Sequence, residues 1–298
     1  MHISPRSLIA GLITLTLALP TVGCPGDPPA GDKTGAQSSD GEKTPAPANA
    51  EEGPKTPQDV PKKIKAKEVR GKATVVMPTP DQFLSVLAIL GKPKWEELVS
   101  PIEKTKFESK SQTALVSGIV LAHFFVHVHA KDAKKAEKSL DQMIEMTQAL
   151  GIKTPEKEVK QVRKRLKKKK WAQLRQDFLD MNTELQKDLI KTQKKPDLAM
   201  LISLGGYLEG ANLGAKLIRD DYSKKRAELM RQGDLIKEVE RATEATLNKD
   251  DKHVALILDA LKKMRKAMKA DGDTPITKEQ VEKIQTLTSE TRKKLIEG

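Results

Sequence analysis

Large apolar residues are distributed unevenly along the chain, and three regimes follow from their spacing. Residues 7–23 carry no charge and hold an apolar heart at 8–19, just behind Arg6. From Pro25 to about Pro78 there is almost no large apolar residue before Val60. From residue 79 onward apolar residues recur at steps of three and four, the period of helices with one buried face.

That last regime resolves into individual helices. Thr79 is placed as an N-cap with Pro80 as first helical residue, ahead of Phe83, Leu84, Val86, Leu87 and Leu90, with Gly91 as the stop. A short helix with Trp95, Leu98 and Val99 fits between Pro93 and Pro101. Residues 109–130 form the most apolar piece beyond the first regime, free of Asp, Glu, Lys and Arg from Ser111 to Ala130. Their length suits a membrane span. Ser111, Gln112, Thr113, Ser117 and three histidines favour a buried core helix instead. A further helix is expected over 133–150, with Ala136, Leu140, Met143, Ile144 and Met146 in phase and Gly151 as its end. Next, Val159, Val162 and Leu166 keep one phase, and Trp171, Leu174, Phe178, Met181, Leu185 and Leu189 keep another. The five-residue gap between Leu166 and Trp171 predicts a turn near 168–170. Later helices are expected over 197–219, 223–231 and 234–248, the last burying Leu235, Val239, Ala242 and Thr246. Asp250 or Asp251 caps a helix bearing Val254, Ile257, Leu258, Leu261, Met264 and Met268. Asp271, Gly272 and Asp273 make a turn, and Thr277 with Gln280 forms a capping box before Val281, Ile284, Leu287, Thr291 and Leu295.

Glycine changes the picture at one place. Gly206, Gly210 and Gly214 fall every fourth residue along one ridge, and glycine inside a helix costs about 1 kcal/mol each relative to alanine. A close helix crossing is the expected reason, with Ala114, Gly118 and Ala122 of the earlier apolar helix as the matching ridge. Glu209, Lys216 and Arg219 on the same helix argue against a membrane role for it.

Composition agrees with the periodicity. Aromatics are only 3 %, and Leu, Lys, Glu, Ala and Gln dominate, which points to an all-α fold. The expectation is a multi-helix bundle of about eight to ten helices over 79–298, long enough for one sizeable core.

The first regime has the parts of an export signal: a basic residue, a short apolar core and small residues before a cut. Its core is too short to span roughly 30 Å of hydrocarbon. Pro20 breaks the helix ahead of Thr21, Val22, Gly23 and Cys24, the single cysteine of the chain. One cysteine forms no intrachain disulfide. The stretch Val22-Gly23-Cys24 resembles the lipobox of bacterial lipoproteins, with Thr21 where leucine is usual. The resemblance implies a signal peptide over 1–23, acylation of Cys24 and a membrane anchor through that lipid. A plain secretory signal cut near Gly23 would leave a free thiol instead. Pro25, where an aspartate favours inner-membrane retention in some bacteria, points to the outer membrane.

Residues 24–78 then read as a linker. Rich in Pro, Ala, Gly, Lys and Glu, it is expected to be disordered, since it cannot offset its ordering entropy by burial. Acids dominate its first part (Asp27, Asp32, Asp40, Glu42, Glu51, Glu52, Asp59), and Lys62, Lys63, Lys65, Lys67, Arg70 and Lys72 its end. A coil of this length reaches about 40 Å. It serves as a spacer, or its basic end touches anionic head groups.

Charge adds a candidate surface. The chain carries 54 basic against 41 acidic residues, a net +13. The densest run is Arg163, Lys164, Arg165, Leu166, Lys167, Lys168, Lys169 and Lys170. Without aromatic interleaving beyond Trp171, and on an exported chain, nucleic acid is not the expected partner. Anionic envelope polymers, phospholipid head groups or another envelope protein are. The bland alternative is a solvated helix end whose cations complement its carbonyls.

Other chemistry is sparse. His123 and His127 share a helix face at a spacing able to hold Zn or Cu, but Phe124 stands where a metalloprotease needs glutamate, and no companion ligands are evident. No metal or cofactor is expected. Asp220, Asp221, Asp271 and Asp273 lack calcium-loop spacing. Gly205 and Gly206 follow no strand, so they make no phosphate loop. Residues 201–210, with Leu204, Gly205, Gly206, Tyr207 and Leu208, resemble a Leu-Gly-Gly-Trp-Leu motif of an uncharacterised group of exported bacterial helical proteins; Tyr207 replaces the tryptophan and no activity comes with the resemblance. The sequence therefore predicts a lipid-anchored, non-enzymatic envelope protein presenting a helical interaction domain. The alternative is an extracytoplasmic ligand- or metal-binding protein using helix 109–130 and its histidines.

Overall fold

The structure is a computed structural model that describes residues 77, 79–90, 93–269 and 274–298. The expected signal segment, Cys24, the linker up to residue 76, Gly91 and the turn at 271–273 lie outside the described residues, as do the side chains of Phe83 and Leu90. Every regular element among the described residues is helical, so the fold is all-α. In chain order the α-helices are α1 (Pro80–Leu90), α2 (Lys110–His129), α3 (Ala133–Ala149), α4 (Glu156–Lys167), α5 (Trp171–Lys191), α6 (Pro196–Asp220), α7 (Lys224–Ala227), α8 (Gly233–Thr246), α9 (Lys252–Ala267) and α10 (Lys278–Glu297). The segment between Pro93 and Pro101 forms only a 3-10 turn, Trp95–Glu97, and a second one, Glu228–Met230, follows α7.

Two central helices organise the bundle. α2 is apolar on every side and packs against α1, α3, α5, α6, α9 and α10, the surroundings such a helix requires. Of the described helices it alone has the length and apolarity of a membrane span, and 94 % of its most apolar window is buried inside the bundle. It is a core helix here. Ser109 starts it by accepting a hydrogen bond from the Gln112 backbone N–H at 3.1 Å. α6 is the second centre, flanked by α1, α2, α5, α8 and α10.

α2 and α6 cross with almost no side chain between them. A Cβ added at Gly118 would lie 2.0 Å from the Ile202 carbonyl oxygen and 2.5 Å from the Gly206 nitrogen. One added at Gly205 would lie 1.8 Å from the Leu115 carbonyl oxygen. The crossing is therefore centred on Gly118, Gly205 and Gly206. Gly210 and Gly214 are buried further along α6, and Ala114 and Ala122 are buried on α2. The expected pair Gly118 and Gly206 is at the crossing, and Gly205, outside the expected ridge, also meets the α2 backbone.

The phase break predicted after Leu166 is real. α4 ends at Lys167, Lys169 adopts a left-handed φ of 52°, and Trp171 opens α5. Phe178 of α5 then stacks on Phe124 at 3.8 Å and meets Phe125 edge-on at 5.2 Å, fixing α5 to α2. Two expected details change in the last third. Gly233 begins α8 rather than preceding it. The buried face of α8 is Leu235, Ile236, Val239, Glu240, Ala242 and Thr243, while Thr246 is exposed. At α10 the capping box of Thr277 and Gln280 is formed, with the Thr277 N–H donating to Gln280 Oε1 at 2.9 Å.

Candidate functional site

The basic run occupies the end of α4 and the turn into α5, and the fold divides it. Leu166 is buried in the core. Arg163 turns onto α3, with Nη1 3.3 Å from Glu137 Oε1 and its other amino group on Asp141. Arg165 Nε lies 2.9 Å from Asp177 Oδ2 of α5. These two arginines bridge helices through partly exposed ion pairs, so their charges are partly neutralised while the side chains remain partly at the surface. Lys164, Lys167, Lys168, Lys169 and Lys170 are exposed and form no ion pair among the described residues. Their charges are left for solvent or a partner.

The histidines part company. His123 is buried, and its Nε2 is 2.9 Å from Glu209 Oε1 of α6. Arg292 Nε of α10 donates to the same oxygen at 3.2 Å. Asn212 Nδ2 donates to Glu209 Oε2 at 3.3 Å, and Thr288 Oγ1 donates to Asn212 Oδ1 at 3.3 Å. Burial pushes the Glu209 carboxyl up, but His123, Arg292 and Asn212 outweigh it and hold it below the ordinary carboxylate value. An ionised carboxylate only accepts hydrogen bonds, so the His123 Nε2 carries the proton. The network joins α2, α6 and α10. Beside it lies a cavity of about 190 Å³ bordered by Glu209, Asn212, Lys216, Arg219 and Arg292. Its cations are engaged: Lys216 with the Glu97 and Leu98 carbonyls, Arg219 with Asp220 and Gln285, Arg292 with Glu209.

His127 is half-buried, and desolvation, with the His123 charge second, lowers its pKa to about 4. His129 stacks on Trp95 at 4.7 Å and sits 3.5 Å from Asp81 Oδ1 of α1. Arg175 Nε of α5 lies 3.5 Å from the same oxygen. Among the described residues no group of three or more His, Cys, Asp and Glu is arranged to hold a metal. The Nε2 of His123 is taken up by Glu209, and His127 belongs to no such group among the described residues.

A Ser/His/Asp grouping also appears where α2 meets α9. Ser109 Oγ and Ser111 Oγ face His253 Nδ1 at 3.1 and 3.4 Å, and Ser111 donates to Asp251 Oδ2 at 2.6 Å. A nucleophilic triad places the acid and the serine on opposite ring nitrogens. Here both serines face Nδ1, and Nε2 is buried without a hydrogen-bond partner. Asp251 also caps α9 through the His253 and Val254 N–H groups. Although burial raises its pKa, these bonds hold the carboxyl low, leaving a poor base for Ser111. The grouping is a helix-start junction.

Spacing along the sequence did not reveal Glu209, Arg292, Asp81 or Arg175. One signal was present: Glu209 is a lone acid inside the apolar, glycine-rich stretch 198–215. Compared with protein-family models, curated proteins and solved structures, the chain matches none.

Proposed function

We propose that the chain is a lipid-anchored cell-envelope protein that presents a helical interaction domain and performs no catalysis. The observation that carries this is the succession of an uncharged apolar segment, Val22-Gly23-Cys24, an apolar-poor linker and a helical domain. Acylation at Cys24 would give firm attachment, because each buried methylene contributes about 0.8 kcal/mol. Pro25 places the protein at the outer membrane in this proposal. The domain's contribution is a surface: its core is filled, its buried charges are paired, and its unpaired lysines project from the α4–α5 turn. The ligand-binding alternative finds no support in His123, whose ring is committed to Glu209.

Metabolic labelling with a palmitate analogue tests the anchor. The wild-type chain is expected to be labelled and to fractionate with membranes, and Cys24→Ala to lose both. Label retained by Cys24→Ala would overturn the proposal.

A further inference from the structure

Among the described residues, the structure leaves five lysines at the α4–α5 junction without an ion pair while pairing both arginines beside them. Lys164, Lys167, Lys168, Lys169 and Lys170 are exposed, whereas Arg163 and Arg165 are bound to α3 and α5 carboxylates. Lys134 extends the patch; it is exposed, one turn before Glu137 on α3 and on the same face. The helix carbonyl end accounts for cations in the last turn of α4 only. Lys168, Lys169 and Lys170 lie beyond it.

The chain arrives at the domain close to this patch. α1 opens at Pro80, and Asp81 in its first turn contacts Arg175, which is about 7 Å of helix rise from Lys170. A flexible coil of about fifty residues has a reach of about 40 Å. A domain of this size has a radius of gyration of about 17 Å. A surface beside the linker junction thus meets the membrane without the linker being stretched. Lysine suits that role: its ammonium is a strongly hydrated point charge that acts at a distance, without the bidentate geometry arginine offers.

We propose that the α4–α5 turn docks on the anionic phospholipid head groups of the membrane that holds the Cys24 lipid. The location rests on the lipid-anchor proposal; the surface chemistry does not. Each lysine near an anionic bilayer raises partitioning about fivefold, and tethering raises the local lipid concentration into the millimolar range.

The test uses the full chain carrying Cys24→Ser, which cannot be acylated whichever way the anchor proposal falls. It is sedimented with vesicles of phosphatidylcholine alone and of equimolar phosphatidylcholine and phosphatidylglycerol. The uncleaved N-terminus is common to every sample, and the neutral vesicles measure its contribution. Binding is expected only with the anionic lipid and is expected to fall with salt. Lys167→Gln/Lys168→Gln/Lys170→Gln should weaken it about a hundredfold. The control Lys237→Gln/Lys249→Gln/Lys283→Gln removes equal charge from exposed, unpaired positions elsewhere and should leave it nearly unchanged. Circular dichroism checks that both variants fold. Equal loss in the two triple variants would overturn the proposal in favour of a net-charge effect. No anionic-lipid binding would also overturn it, as would retention on a cell-wall polymer without vesicle binding. None of these failures touches the labelling result at Cys24.

Discussion

The crossing of α2 and α6 makes the sharpest demand on this sequence, and Gly205→Ala tests it. The added Cβ would sit 1.8 Å from the Leu115 carbonyl oxygen and 2.7 Å from its carbonyl carbon. Both are backbone atoms inside a helix, so neither moves without the helix moving. The axes would have to separate by roughly 1.5 Å to restore ordinary contact. Such a gap forfeits up to about half of each dispersion contact across the crossing. At about 0.1–0.2 kcal/mol for each of roughly fifty atom pairs, the loss is about 3–5 kcal/mol. Alanine returns about 1 kcal/mol of helix propensity. The net expectation is destabilisation of about 2–4 kcal/mol, measured as a lowered urea midpoint by far-ultraviolet circular dichroism. Gly233→Ala is the control, because nothing lies within 4 Å of its added Cβ; its change should stay within about 0.5 kcal/mol. Combining Gly118→Ala with Gly205→Ala should cost clearly less than the sum, since either alone already parts the same helices. An unchanged or raised midpoint for Gly205→Ala would refute the close crossing.

Other expectations follow from buried charge and backbone conformation. Glu209→Gln leaves the Arg292 guanidinium beside a neutral amide and should destabilise by about 3–5 kcal/mol in the same urea assay. Because the folded Glu209 titrates below its unfolded value of about 4.3, its contribution is complete above that pH and is lost as pH falls through the folded value. Wild type should therefore lose more stability on acidification than the variant does. His127 titrates lower in the folded state, from 6.5 to about 4, so it favours the unfolded chain as pH falls through this interval. An NMR titration should find its ring neutral down to about that lower value. Lys194, two residues past the Thr192 C-cap of α5, has a φ of 54° that suits glycine, and Lys194→Gly should raise stability by about 1 kcal/mol by thermal unfolding.

Local features were legible in the sequence because their causes are local. The α4–α5 break follows from the step of five from Leu166 to Trp171, and the α10 start from Thr277 and Gln280 three apart. The expected start of α8 at residue 234 falls one residue inside the observed start at Gly233, because glycine is tolerated in a first helical turn where backbone N–H groups are unpaired anyway. The crossing partner helices were legible from their small residues. The register was legible only in part: Gly118 and Gly206 meet as their spacing suggests, but Gly205 lies off the four-residue ridge, and periodicity does not say which neighbouring residue also touches. The buried network was hidden for a different reason. His123 and Glu209 are 86 residues apart, and Arg292 is 83 beyond Glu209, so their meeting depends on the assembled bundle. The basic run shows the same limit. The seven cations of the run look alike in sequence, but only the positions of Glu137, Asp141 and Asp177 decide which of them are neutralised.

The most direct measurement is the intact mass of the protein purified from the membrane fraction of its native host. The lipid-anchor proposal expects a mass equal to residues 24–298 plus acyl chains on Cys24. A soluble, unmodified mass would contradict it and leave Cys24, if retained, as a free thiol on a secreted helical protein.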